Sequence, residues 1–429
     1  MKPSTPHHDL SVFDRVESQV RSYSRSFPSL FNRALGATIH DADGKAYTDF
    51  LAGCSSLNYG HNDPDLKRAL IEYISDDGIA QGLDMFTDAK QKFLEAFETL
   101  ILKPRAMDYR VQFTGPTGAN AVEAAMKLAR KVTGRTTIIA FSNGFHGVTL
   151  GALAATGNAK HRGGAGMPLS GVQRAAFDGY FGPEINTADL LDRQLSDPSG
   201  GFDAPAAIIV ETVQGEGGLN AASPAWLRQI EAIARKHGAL FIVDDIQAGC
   251  GRTGGFFSFE GIGLSPDIVT LAKSISGLGL PMALTLMKPE HDIWAPAEHN
   301  GTFRGNNHAF VTARSAIEKF WTNGDFAIEV GEKAALLANR LGRIASAHGL
   351  TVRGRGMMLG VDAGDGAYAA EICAACFAEG LIVETSGSHD EVVKVLAPLT
   401  IPAAQFKAGL DVLETAFDSV LSARRIAAE

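Results

Sequence analysis

Cysteine is scarce: Cys54, Cys250, Cys373 and Cys376 are the four in 429 residues, too few and too scattered for the disulfide framework of a secreted scaffold. That usage predicts a reducing, cytoplasmic setting. Basic clusters are missing too. With 39 Lys+Arg against 48 Asp+Glu the formal net charge is −9, and no Lys/Arg-rich block supplies the phosphate-neutralising stripe of a nucleic-acid binder. No run approaches the ~20 apolar residues of a membrane-spanning helix. The opening MKPSTPHHDL lacks the apolar core of a signal peptide. Neither a nucleic-acid nor a membrane partner is expected, and no internal repeat or low-complexity tract appears.

What is present is a globular composition, 45% hydrophobic and 20% charged, on a chain long enough for two or three domains. Residues 1–60 open with a charged segment that reads as a short helix and an extended arm. ATIHDADGKAYTDF follows and alternates polar with apolar residues around Asp43-Gly44, the pattern of a β-hairpin. A helix is predicted from Pro64 to Tyr73, with Leu66, Ala69, Leu70 and Tyr73 at helical spacing. Residues 61–309 then carry short apolar runs between helical segments: YRVQF, TTIIAF, AAIIVE, ALFIVDD, DIVTLA and MALTLM. Such alternation predicts an α/β domain with a mainly parallel sheet covered by helices on both faces. Residues 310–429 mix long helices with the strand-like GMMLGVDA and EVVKVLAP, a smaller α+β domain joined in space by the N-terminal hairpin.

Ligands of open α/β sheets sit beyond the carboxyl ends of the strands, and five polar clusters fall there. FTGPTGANAVEAAMKLAR is a strand, a turn and a helix, whose Gly118 and Ala119 amides suit an anion. An ordinary joint would look the same. NGFHG offers Phe145 as a stacking ring beside His146. ETVQGEGG places Glu211 and Glu216 after a strand. ALFIVDD ends in Asp244 and Asp245, where a buried carboxylate needs a positive partner such as a protonated heterocycle. Lys273, in DIVTLAKSISG, is an amine after an apolar run, able to lose its proton by desolvation and condense with an aldehyde. Each cluster has a bland reading as a cap, a core edge or a surface lysine. Together they make the binding kit of pyridoxal 5'-phosphate.

The ordered motifs DDIQAGCGRTG, LAKSISG and HNGTFRGNN resemble the class III pyridoxal-phosphate aminotransferases of fold-type I, from about Phe31 to the C-terminus. The resemblance implies a large domain with a seven-stranded-type sheet and a small α+β domain built from both chain ends. It makes Lys273 the lysine that carries the cofactor and later moves the substrate proton, and Asp244 the partner of the ring nitrogen. Gln247 would contact the ring hydroxyl. Thr117-Gly118-Ala119 is the phosphate turn, Phe145 the stacking ring, and Thr302 reaches the phosphate across a dimer. Glu211 and Glu216 match the family's E-P-x-Q-G-E, with Thr212 in place of proline. A homo-oligomer, at least a dimer with shared sites, is thereby implied. Within the class, GLDM, QFTGPTGANAVEAA, HGVTLGALAATGN and EHNGTFRGNNHAFVTA are most similar to the branch that moves the glutamate amino group onto L-aspartate 4-semialdehyde. That reaction gives L-2,4-diaminobutyrate and 2-oxoglutarate, as in ectoine synthesis.

One departure stands out. Where many ω-aminotransferases have an arginine paired with the second glutamate of that motif, VVKVLAPLT has Lys394, which cannot form the bidentate fork. Lys394 is then expected to pair with Glu216, leaving Arg25 or Arg304 for the substrate carboxylate. No metal is expected, because Cys373-x-x-Cys376 lies in a helical pattern without a second Cys/His pair. Siderophore or catabolic use of diaminobutyrate, ornithine or 4-aminobutyrate transamination, and an aminomutase, racemase or decarboxylase on the same cofactor remain open alternatives. A silent scaffold is disfavoured by the retained Lys273.

Overall fold

A computed structural model describes residues 8–428. Four strands, Ile138–Phe141, Ala207–Val210, Leu240–Asp244 and Ile268–Leu271, are buried along their whole length, as a sheet covered on both faces requires. They occupy the middle of a seven-stranded sheet. Its order is Arg110–Phe113, Leu284–Met287, Ile268–Leu271, Leu240–Asp244, Ala207–Val210, Ile138–Phe141, Val172–Ala175. Leu284–Met287 runs antiparallel to both neighbours, and the remaining pairings are parallel. The expected large sheet is thus present. Val172–Ala175 is not evident from sequence, because VQRA is a short edge strand that leaves Arg174 exposed, with neither apolar continuity nor alternation.

Helix Gly118–Thr133 shows how the layers hold together. Val122, Ala125, Met126 and Ala129 recur at helical spacing and pack with Ile138, Ala140, Ile209 and Ile242 of the sheet. The helix stops at Gly134, whose φ of 66° suits a residue without Cβ. Helix Pro64–Ser75 begins where Asp63 accepts from the Asp65 and Leu66 amides, with proline at its first position.

The two chain ends share a sheet. Thr38–Asp41 and Ala46–Asp49 form the expected hairpin. Phe31–Leu35 adds to one side, and Leu381–Ile382 to the other, parallel, with Leu381 opposite Thr48. A further antiparallel sheet runs Thr351–Arg355, Met358–Asp362, Val392–Val395, Glu384–Ser386. Before the first sheet, two short helices, Ser11–Val16 and Tyr23–Ser26, stand where one helix and an arm were expected.

Candidate active site

The carboxyl ends of the large sheet open into a cleft of about 320 Å³. Each strand delivers its polar residues at or after its last apolar position: Asp244 ends Leu240–Asp244, Lys273 follows Ile268–Leu271, and Glu211 follows Ala207–Val210. Thr117, Gly118, Ala119, Phe145, His146, Glu211, Glu216, Asp244, Gln247 and Lys273 all line the one cleft. Residues separated by up to 156 positions (117 to 273) are brought together by the strand order alone.

At one end lies Asp244, almost fully buried. His146 Nδ1 meets its Oδ2 at 2.7 Å, and Thr270 Oγ1 donates to Oδ1 at 3.0 Å. Burial works against a charge on His146, but the hydrogen bond and charge of Asp244, with Glu211 nearby, raise its pKa above the ordinary value. Glu211 accepts from the Phe145 and Gly215 amides at 2.9 and 3.3 Å. Burial pushes its carboxyl up to about 7, opposed by His146. Asp245, wholly buried, accepts from the Ser258 amide at 3.1 Å and so ties down the loop that follows the strand.

At the other end Glu216 accepts from Gln247 Nε2 at 2.9 Å and from Lys394 Nζ at 2.9 Å. Burial opposes its charge, yet Lys394 and Lys273 hold its carboxyl down to about 2. Lys394 stands behind Glu216 and is wholly buried; a second carboxylate, Glu384, lies 3.0 Å from its Nζ.

A left-handed turn borders this end. Ala52, Gly53, Cys54 and Ser55 have φ of 46°, 54°, 55° and 67°, a conformation that costs L-residues about 1–2 kcal/mol each. Asp49 Oδ1 accepts from the Leu51 and Ala52 amides at 2.8 Å, and Ser274 Oγ donates to Ser55 O at 2.6 Å. Ser274 follows Lys273, itself at φ 55°. The strained turn and the strained lysine are therefore clamped to each other, as functional backbone strain requires.

Four of the residues singled out in the sequence stand outside the cleft lining. Lys394 is behind it. Arg25 Nη2 donates to the backbone and side chain of Gln19 and its Nε to Arg21 O, within the N-terminal segment. Arg304 Nε donates to Phe113 O and Nη1 to Asn300, and Thr302 is exposed on the same segment. The supporting partners Thr270 and Glu384 are not marked in the sequence. Only the register of Thr270 opposite Asp244, once the strands are aligned, points to the first of them.

The residues present fit pyridoxal phosphate. Gln247 Oε1 is a buried acceptor with no hydrogen-bond partner among the described residues. Gly118, whose Cβ would press on Ile246 at 3.0 Å, opens a helix whose first amides suit an anion. Amine, acid, turn and ring face one cavity. Fold and cleft together define a fold-type I pyridoxal-phosphate enzyme.

The comparisons make the class narrower. The class III aminotransferase family model matches residues 20–417, and the chain belongs to that family. It is similar to the diaminobutyrate–2-oxoglutarate transaminases of Vibrio cholerae, 55% identical over 94% of this chain and 99% of the relative, and of Halomonas elongata, 53% identical over 96% and 99%. Among solved structures it is similar to an ornithine aminotransferase from Toxoplasma gondii reported with partial occupancy of pyridoxal phosphate in its active site. That match has a TM-score of 0.83 at 25% identity and covers 97% of this chain and 95% of the other. The chain is a pyridoxal-phosphate-dependent aminotransferase. No helix among the described residues is long and apolar enough to cross a membrane.

Proposed function

We propose that this aminotransferase moves an amino group between L-glutamate and L-aspartate 4-semialdehyde, giving L-2,4-diaminobutyrate and 2-oxoglutarate, the entry to ectoine synthesis in the cytoplasm. Relatives identical at more than half of the aligned positions carry the diaminobutyrate activity in their names. The observation that carries the residue roles is the convergence of Lys273, Asp244, Gln247, Phe145 and the 117–119 turn on one cleft.

Bound pyridoxal phosphate supplies an aldehyde carbon for the amino group and a ring that draws electrons from it. The chain does the rest. Asp244, fixed by His146 and Thr270, holds a proton at the ring nitrogen. Lys273 Nζ carries the proton that leaves the substrate carbon. Thr117, Gly118 and Ala119 would hold the phosphate, Phe145 would stack on the ring and Gln247 would bind its hydroxyl, while Glu211 braces the Phe145 backbone. Thr302 and Arg304, outside the cleft of their own chain, serve the partner's cleft in a dimer.

The test is a spectrophotometric half-reaction on the purified holoenzyme with L-glutamate, L-2,4-diaminobutyrate, L-ornithine and 4-aminobutyrate in turn. Glutamate and diaminobutyrate are expected to convert the bound cofactor to its amine form, and Lys273→Ala to lose at least about a thousandfold in rate. Preferential conversion by ornithine or 4-aminobutyrate would overturn the substrate reading.

A further inference from the structure

The motif GLDM, Gly82 to Met85, stands outside the cleft lining, and its loop is fixed to the segment that carries Thr302. Gln81, just before the motif, spans the two. Its Nε2 donates to Thr302 O, and its Oε1 accepts from the Leu83 amide at 2.5 Å, so one end of the side-chain amide serves each loop. Further along, Thr87 Oγ1 donates to Asn307 Oδ1 at 2.6 Å, and Asn307 Nδ2 donates to Ala80 O at 3.5 Å. Gly82 lets the two chains come this close: a Cβ there would lie 2.9 Å from Thr87 Cγ2 and 3.0 Å from Asn307 Nδ2.

Such a brace is needed because residues 292–306 belong to no helix or strand, and no ladder of backbone hydrogen bonds fixes Thr302. Arg304 Nε on Phe113 O holds one side of the segment, and Gln81 holds the other. The Thr302 hydroxyl itself has no hydrogen-bond partner among the described residues: its backbone is held while its polar end is left free. Leu83, Met85, Phe86 and Phe303, on the same two loops, are each more than half exposed. An apolar patch of that kind belongs to an interface, which is where a side chain bound for a partner's cleft has to stand.

We infer that Gln81 is a positioning residue for the cofactor phosphate: by holding Thr302 O it sets where the Thr302 hydroxyl stands in the partner's cleft. Each cleft then depends on the loop around Gln81 of the other chain. The inference rests on the reading above that Thr302 serves the partner's cleft. A hydroxyl bonds an anionic oxygen over only about 2.5–3.0 Å, so a small shift of the segment is enough to lose the contact.

Cofactor retention reads this without recourse to activity. Visible absorbance of the holoenzyme, diluted in the presence of inorganic phosphate, gives the apparent cofactor dissociation constant. Thr302→Ala is expected to raise it about tenfold. Gln81→Met keeps the length of the side chain without its donor and should raise it about fivefold. Gln81→Glu retains an acceptor for the Leu83 amide but not the donor to Thr302, so it should weaken retention at least as much as Gln81→Met. The double variant decides. Gln81→Met with Thr302→Ala should match Thr302→Ala alone within about twofold, because without the hydroxyl the brace has nothing to place. A loop that merely supports the fold or the interface would add its own loss to that of Thr302→Ala, and that additive result would overturn the inference, as would a Gln81→Met protein that retains cofactor like wild type. Gln81 is exposed, so every Gln81 variant should keep the unfolding midpoint within about 3 °C, and a larger fall would count equally against a positioning role. Wild-type retention in Thr302→Ala sinks the reading of Thr302 instead.

Discussion

The two ends of the cleft handle buried charge in opposite ways. Around Asp244 one carboxylate is held by His146 and a threonine hydroxyl, all from a single sheet and its loops. Around Lys394 three charged side chains meet from separate elements, with the N-terminal turn beside them. The first end is a proton-holding device on a rigid scaffold. The second is an ion-pair cluster in which Glu216 and Glu384 share the Lys394 ammonium. Asp244 should therefore matter to rate more than to stability, and Lys394 to both.

The largest expected effect tests the first half of that contrast. Asp244→Asn should lower kcat of the glutamate half-reaction by about a hundredfold or more, while the unfolding midpoint stays within about 3 °C of wild type. A large fall in midpoint with little change in kcat would reverse the contrast. Lys394→Met is expected to take the shared ammonium from the partly buried Glu216 and Glu384, with a loss of about 3 kcal/mol, read by denaturant titration.

Acidity sharpens the same comparison, because Glu216 and Glu211 titrate with opposite sign. Glu216 is held at about 2 against an ordinary 4.5, so the unfolded chain takes up protons first. Its contribution, on the order of 3 kcal/mol, is present above pH 4.5 and lost as pH falls towards 2. Glu211 is raised from 4.5 to about 7, so the folded chain binds the extra proton and stability falls as pH rises through that window. Unfolding free energies from pH 2 to 8 should show Glu216→Gln flattening the acid limb and Glu211→Gln flattening the slope between 4.5 and 7. The smallest effect belongs to the phosphate cradle. Gly118→Ala brings a methyl against the flexible end of Ile246 and should weaken cofactor affinity by only a few-fold (about 1 kcal/mol), with Ile246→Val restoring it.

The contrast also explains what could be read from sequence. Asp244, Lys273, Glu211 and the 117–119 turn each sit at the end of an apolar strand, so local pattern and the rule that ligands lie beyond strand ends suffice to find them. Glu216 and Lys394 are 178 positions apart and meet because a strand from the small sheet lies against the cleft; their pairing is expected from the family resemblance and not from local pattern. Glu384 sits in EGLIVETSG, where nothing in spacing or composition distinguishes a counter-ion from a solvated surface acid. Val172–Ala175 was missed for a related reason: an edge strand need not be apolar, and its partner alone defines it.

The left-handed turn at 52–55 also limits which side chains this wall can explore. Cys54 stands at φ 55°, where β-branched and bulky residues are severely disfavoured while asparagine, aspartate and glycine are tolerated. Variation at this position is thus confined to small or amide-like groups, whatever shape a new substrate would ask for. A library that placed valine or isoleucine there would lose members to the backbone before any ligand was met.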